Sequence, residues 1–247
     1  MSSLFSVKDK TILITGASRG IGKSFALGFQ KEGAIVYGTG SSEKSISWMK
    51  DSGLEGRVNN VLEEDSIKLI IEEIKQKHGK LDVLINNAGI SMDKPASALS
   101  EKDMSDLIDV NFKAVFRASQ AYYKTHKNLG GNIINIASVL GLRGFTLSSV
   151  YSGTKGAVIQ MTKACASEWT RSNFRLNAIC PGFIDTDMVS NMKAKEALME
   201  GIKTKIPMGR MGKPEELLGT AIFLASNASS YITGQILVVD GGMTEIV

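Results

Sequence analysis

The run TILITGASRGIG, residues 11–22, constrains this chain more than any other stretch. Its first half, TILITG, is short, β-branched and closed by glycine, the pattern of a buried strand entering a tight turn. Helical spacing of apolar residues follows from about Ile21 to Lys31, and GAIVYGTG at residues 33–40 returns to strand. This is one strand–helix–strand unit, with loops short enough for a parallel sheet. Gly16, Gly20 and Gly22 stand in a GxxxGxG spacing rather than GxGxxG. Glycine relieves the steric limits of a sharp turn and lets the backbone approach a pyrophosphate at a helix N-terminus. Gly22 also permits close helix–sheet packing. The position between strand and helix favours nucleotide binding over an ordinary tight turn.

The alternation continues along the chain. DSIKLIIEEIKQKHG carries apolar residues at helical spacing, and LDVLINNAG gives the next buried strand. Residues 101–127 suit a long helix, NIINIAS a strand, residues 151–171 a helix and FRLNAICPG a strand. Residues 214–226 then read as helix and QILVVDGG as the last strand. Strands joined by helices in this order predict a sheet covered on both faces, with right-handed crossovers. No Pro/Gly/Ser-rich linker divides the 247 residues, so one domain over 1–247 is expected. A Met- and Lys-rich segment at 187–213 is expected to form short helices or a flap after a strand end, where open sheets bind ligands. Met192, Met199, Met208 and Met211 suit either an adaptable substrate lid or simple packing.

Composition narrows the class. A hydrophobic fraction of 43% with 22% charged residues is ordinary for a globular protein. The formal net charge of +4 comes without a basic block, and no aromatic interleaving accompanies it, so nucleic-acid binding is not expected. Two cysteines, Cys165 and Cys180, make a disulfide framework improbable and fit a reducing, cytoplasmic setting. No signal-type N-terminus or uncharged span of about 20 apolar residues is present, so no membrane helix is expected. His78 and His126 lack a ligand cluster, and no metal site is expected.

At the end of the second strand, VYGTGSSEK has Gly40 where dinucleotide sites selecting an unphosphorylated ribose carry an acid. A carboxylate there repels a ribose 2′-phosphate. With it gone, Arg19, Ser41 and Ser42 are candidates to hold that phosphate, and NADPH is expected over NADH. Glu43 can face the same region and weighs the other way.

Farther on, SSVYSGTKGAV places Tyr151 and Lys155 four apart, on one helix face. A free tyrosine has a pKa of about 10, too high for efficient acid–base work near neutrality. A nearby ammonium is expected to lower it. Alone, the pair also suits surface packing. Ser138, ending NIINIAS near the C-terminal edge of a strand, adds a hydroxyl able to hold a carbonyl oxygen beside the tyrosine.

Together with these, NNAG at 86–89, Asn111 in DVNF, PGFIDT at 181–186 and YITGQILVVDGG resemble the short-chain dehydrogenase/reductase family, in family order over nearly the whole chain. The resemblance implies an α/β, three-layer Rossmann-like fold with a seven-stranded parallel sheet and helices on both faces. It implies a tetrad of Asn111, Ser138, Tyr151 and Lys155. In it Ser138 positions the carbonyl, Tyr151 transfers the proton, and Lys155 binds the nicotinamide ribose and acidifies Tyr151. Asn111 holds a water linking Lys155 to solvent; the bland alternative is that Asn111 only satisfies backbone groups.

For NADPH/NADP+ the resemblance implies contacts from Gly16, Ser18, Arg19, Gly20, Ile21 and Gly22 in the glycine loop. Asn87, Ala88 and Gly89 shape the wall beside the adenine-bearing ribose, while Asn86 reads as mainly structural. Asn60 stands where the family often has an Asp contacting adenine, followed by Val61. Thr186 resembles the residue that bonds the nicotinamide carboxamide, with Ile184 in the same loop.

Within the family, GTGSSEK, NNAGI, PGFIDTDM and PMGRMGKPEEL are most similar to the 3-oxoacyl-[acyl-carrier-protein] reductases, which implies fatty acid biosynthesis and an acyl carrier protein partner. Against this, Leu129 and Ser172 stand where carrier-docking basic residues are expected. Lys124, Lys127, Arg171 and Arg175 are neighbours able to restore the patch. The loop GLRGFTLSSV is less polar than the usual one, and Arg143 and Phe145 suit either a substrate entrance or packing. Reduction or oxidation of a small sugar, polyol or xenobiotic ketone is the alternative, and a non-catalytic nucleotide-binding scaffold the third reading. The resemblance also implies a homotetramer, with helices around 101–127 and 151–171 at one interface.

Overall fold

The chain alternates strands and helices from one end to the other, and the computed structural model describes residues 3–63, 65–189 and 196–245. The strands are β1 (Thr11–Ile14), β2 (Ile35–Gly40), β3 (Glu55–Val58), β4 (Val83–Asn86), β5 (Gly131–Ile136), β6 (Phe174–Pro181) and β7 (Ile236–Val239). The helices are α1 (Gly20–Lys31), α2 (Glu43–Asp51), α3 (Ser66–His78), α4 (Glu101–Ile108), α5 (Ala114–His126), α6 (Ser149–Trp169), α7 (Glu196–Lys203) and α8 (Leu218–Ala225).

All seven strands pair in parallel, in the order β3-β2-β1-β4-β5-β6-β7. Successive side chains of a strand point to opposite faces, and here each face feeds its own core. Leu13 and Ile133 join a cluster with Ile71 and Ile74 of α3, Tyr122 of α5 and Val158 of α6. Ile12, Ile14 and Ile134 join another, with Phe25 and Phe29 of α1, Met49 of α2 and Leu224 of α8. The layers are therefore helix, sheet, helix. Strand order reverses between β1 and β4, so the loops leaving these two strands diverge and open a crevice at the C-terminal edge.

Some expectations need correction. The long helix expected over 101–127 is interrupted by a π turn at Asp109–Lys113, centred on the buried Asn111. The segment 214–226 begins as a 3₁₀ turn at Pro214–Leu217 before α8. Neither α2 nor β3 appears among the elements read from the sequence. Strand β3 has the sequence EGRV and is nowhere fully buried. Its Arg57 is held by Glu73 and Glu55, so ion pairs rather than an apolar run cover this edge.

After β6 the chain makes a 3₁₀ turn at Asp187–Val189, and α7 follows residues that lie outside the described set, Met192 among them. Met199 is buried with Phe183, Ile202 and Ile206, and Met211 packs against them, while Met208 is exposed. The returning segment is stitched to the β6 exit by Gly212 N–H to Phe183 O (3.0 Å) and Asp185 N–H to Gly212 O (2.8 Å). Both cysteines are free and buried, and no described helix is long and apolar enough to cross a membrane.

Candidate active site

The crevice is a cavity of about 580 Å³, lined by the loops after β1, β2, β3, β4, β5 and β6 and by the start of α6. Its floor is two backbones in close approach. Gly16 has φ +65°, and a Cβ there would sit 2.7 Å from Ala88 Cα. Asn87 ties the loops together: its Nδ2 donates to Thr15 O (2.9 Å) and Gly16 O (3.0 Å), and Thr15 Oγ1 accepts from the Asn87 and Ala88 N–H groups. Gly22 does not line the cavity. A Cβ there would lie 2.4 Å from Gly16 O, so this glycine serves packing. Ser18, Arg19, Gly20 and Ile21 do line it, beside the N-terminus of α1, which has no side-chain cap. Unsatisfied N–H groups at a helix start are an anion site.

At the end of β2, Gly40 is there for space. A Cβ would fall 2.5 Å from Ser45 Oγ and 2.7 Å from Ile46 Cγ2, so an acid at this position has no room. Ser41 lines the cavity, but Ser42 does not. Ser42 caps α2, its Oγ accepting from Ser45 N–H (3.3 Å). Glu43 belongs to the first turn of that helix, away from the lining. Asn60 and Val61 both line the cavity, yet the Asn60 amide is engaged: Nδ2 donates to Glu63 (3.0 Å) and Oδ1 accepts from Leu62 N–H. The preceding residue, Asn59, is the buried one, and its Oδ1 meets no donor among the described residues. Buried acceptors rarely go unmatched, and Asn59 lines the cavity, so its Oδ1 is available to a ligand there. By resemblance the contact is expected at Asn60; with β3 unread, no alternation in the sequence marks Asn59 as the buried neighbour.

Asn86 is structural: its Nδ2 bridges Ser119 Oγ (3.0 Å) and Asn135 Oδ1 (2.8 Å) inside the fold. Asn111 lies off the cavity lining as well. Its side chain clamps Ile90, with Nδ2 donating to the carbonyl and Oδ1 accepting from the N–H, each at 2.9 Å. The amide expected to hold a water is thus committed to backbone. It still lies near the lysine, because a Cβ on Gly89 would be 3.1 Å from Asn111 Oδ1 and 3.6 Å from Lys155 Nζ.

Ser138, Tyr151 and Lys155 converge on one wall. Lys155 is buried, and its Nζ donates to Ile136 O (2.8 Å) while lying 5.8 Å from the Tyr151 ring centre. Burial penalises charged forms and sets both titrations. It pushes the Tyr151 phenol up to about 12 and the Lys155 ammonium down to about 8. The expected acidification of Tyr151 by Lys155 is therefore not what this arrangement gives. The group pulling the phenol down is the Ser138 hydroxyl. Ile184 and Thr186 lie at the far side, Thr186 against the positive-φ Gly20. Thr39, Ile90, Ser148 and Phe183 also line the cavity and were not singled out from the sequence. Among the described residues no cluster of metal-ligating side chains occurs.

Residues 16–244 match the family model described as enoyl-(acyl carrier protein) reductase. The chain is 42% identical over 244 residues to the 3-oxoacyl-[acyl-carrier-protein] reductase FabG of Thermotoga maritima, covering 96% of this chain and 98% of that one. It is 38% identical over 248 residues to the gluconate 5-dehydrogenase of Gluconobacter oxydans, covering 98% and 97%. Its fold superposes with a TM-score of 0.94 on a gluconate 5-dehydrogenase from Burkholderia cenocepacia crystallised with NADP and tartrate, at 34% identity and 99% coverage of each chain. With the motif order, the crevice and these matches in agreement, the chain belongs to the short-chain dehydrogenase/reductase family.

Proposed function

We propose that this oxidoreductase reduces the ketone of a 3-oxoacyl thioester with NADPH. The observation that carries the reading is the wall itself: Ser138 and Tyr151 hydroxyls beside buried Lys155, facing Ile90, Val139, Leu140, Phe183 and Met188. An apolar surround suits an acyl chain better than a polyol. The 42% identity to a 3-oxoacyl-[acyl-carrier-protein] reductase supports the same reading.

The cavity fits the cofactor by its own chemistry. The Gly16 and Gly20 turn, the uncapped start of α1, Arg19 and the donorless Asn59 Oδ1 are the parts a dinucleotide needs. When bound, NADPH supplies the hydride. Ser138 holds the carbonyl oxygen. Tyr151, kept protonated by burial, donates its proton to the oxygen as negative charge develops there. Lys155 holds positive charge next to that phenol below about pH 8. Arg19 supplies charge for a ribose 2′-phosphate, so Arg19→Ala is expected to raise KM for NADPH about tenfold and leave KM for NADH nearly unchanged. Equal changes for both cofactors, measured by steady-state kinetics, remove Arg19 from that role.

The sugar-acid reading keeps one point in its favour. Of the basic residues able to rebuild a carrier-docking patch, Arg175 is unavailable, because its guanidinium donates to Leu224 O (2.9 Å) and Ile232 O (3.1 Å). Ser172 lies against Tyr123, and Leu129 is exposed without charge. Lys124, Lys127 and Arg171 remain exposed. Comparing S-acetoacetyl-N-acetylcysteamine with 5-ketogluconate decides the matter. Efficient reduction of the thioester is expected. Turnover of the sugar acid alone gives the site to the alternative.

A further inference from the structure

Ser148 is a serine at a helix start that does not cap the helix. It precedes α6, where a hydroxyl ordinarily accepts from the N–H of the second or third helical residue. No such bond forms, and the backbone sits at φ −127°, ψ 24°. Yet the residue is buried, at 4% exposure. Among the described residues its Oγ reaches only the Thr146 carbonyl, at 3.5 Å, the outer limit of a hydrogen bond. A buried hydroxyl this poorly matched is costly unless it meets something else.

Ser148 lines the same cavity as Ser138 and Tyr151, one helical turn before the tyrosine. Positions 148, 151 and 155 fall on one stripe of the helix. The turn that presents it is held in an unfavourable form. Leu147 has φ +64°, a left-handed conformation branched side chains avoid, and its carbonyl accepts from Lys94 N–H (3.2 Å). Strain of this kind persists where the surroundings impose it, and here it turns the next residue inward.

We propose that Ser148 is a specificity contact, its hydroxyl donating to a second carbonyl oxygen of the substrate, one methylene away from the ketone that is reduced. The inference rests on the 3-oxoacyl reading above, in which Ser138 and Tyr151 serve the ketone oxygen and the thioester carbonyl needs a donor of its own. A serine hydroxyl rotates freely enough to leave Thr146 and take that oxygen.

The test compares methyl acetoacetate, which has the second carbonyl, with 2-hexanone, which lacks it. Wild type is expected to reduce the ester more efficiently. Ser148→Ala is expected to lower kcat/KM for the ester about 5- to 30-fold, mainly through KM, and to leave the monoketone within about twofold. Ser148→Thr, which keeps the hydroxyl, is expected to restore most of the ester activity. Should alanine lower Tm, Ser148→Cys keeps the volume with a weaker donor and carries the same expectation. Equal losses for the two substrates, no loss, or a wild type that does not prefer the ester overturns the assignment. Because neither probe is a thioester, failure of thioester turnover counts against the preceding reading and not against this one.

Discussion

Replacing Tyr151 with Phe is expected to leave the fold and cofactor binding intact while lowering kcat for ketone reduction by about 10²- to 10⁴-fold. The ring stays and only the proton donor goes. In this wall Ser138 Oγ accepts from Leu140 N–H (3.1 Å), which leaves its own proton to hold the carbonyl oxygen, and Lys155 Nζ is anchored on Ile136 O (2.8 Å). An alcohol proton is far less acidic than a phenol's, so the serine is a poor substitute as proton donor. The titrations give a second signature. Burial keeps the Tyr151 phenol neutral up to about 12, so it does not limit reduction near neutrality. Lys155, lowered by burial to about 8, loses its charge first. Wild-type reduction is therefore expected to decline as pH rises through about 8, with the acid limb absent from this pair. Rapid-mixing measurement of hydride transfer, alongside fluorescence titration of NADPH, checks both points. A Tyr151→Phe enzyme within about threefold of wild type in kcat removes the phenol from the chemistry.

The sequence announces the parts of this site that are local and hides those that depend on distant partners. Glycines 16, 20 and 22 are readable because a turn between strand and helix has few chemical solutions. Tyr151 and Lys155 are readable because helical spacing fixes their common face. Strand β3 is not, since EGRV shows no apolar alternation and is held at its edge by Arg57 with Glu55 and Glu73, residues far apart in sequence or unremarkable in type. With β3 unread, the resemblance points to Asn60, which is bonded to Glu63, and nothing in the sequence points to the buried Asn59. Asn111 carries the same lesson. Its partner is the backbone of Ile90, and only tertiary structure reveals that the helix opens into a π turn to make that bond. Gly40 leaves the end of β2 without an acid, which the sequence displays directly. The reason in the structure is steric, because Ser45 and Ile46 occupy the space a side chain needs.

Acid is expected to destabilise this fold well before most carboxylates protonate, and the cause is His126. Its ring is fully buried on α5, edge-on to Tyr122 at 4.8 Å. Nε2 accepts from Leu81 N–H (3.0 Å), and Nδ1 lies 2.8 Å from Thr125 Oγ1. Burial, reinforced by the positive charges of Lys75 and Lys80, lowers the imidazole pKa to about 4 from an ordinary 6.5. The folded chain thus keeps a neutral ring where the unfolded chain takes up a proton. Stability is whole above about 6.5 and is lost as pH falls toward 4, because the unfolded state binds the extra proton throughout that window. Protonating the folded ring ends its role as acceptor for Leu81, which is why the fold resists it. A difference of this size corresponds to about 3 kcal/mol, an order-of-magnitude figure. Asp103 and Glu216, both held near 2 by ion pairs, contribute in the same direction but at lower pH. His126→Gln separates the two effects. The amide oxygen can accept from Leu81 without titrating, so the variant is expected to be less stable at pH 7, through lost ring packing, yet nearly flat between pH 6.5 and 4. Chemical denaturation at a series of pH values measures both slopes. Parallel curves for wild type and His126→Gln across that window refute the assignment and move the acid sensitivity to another group.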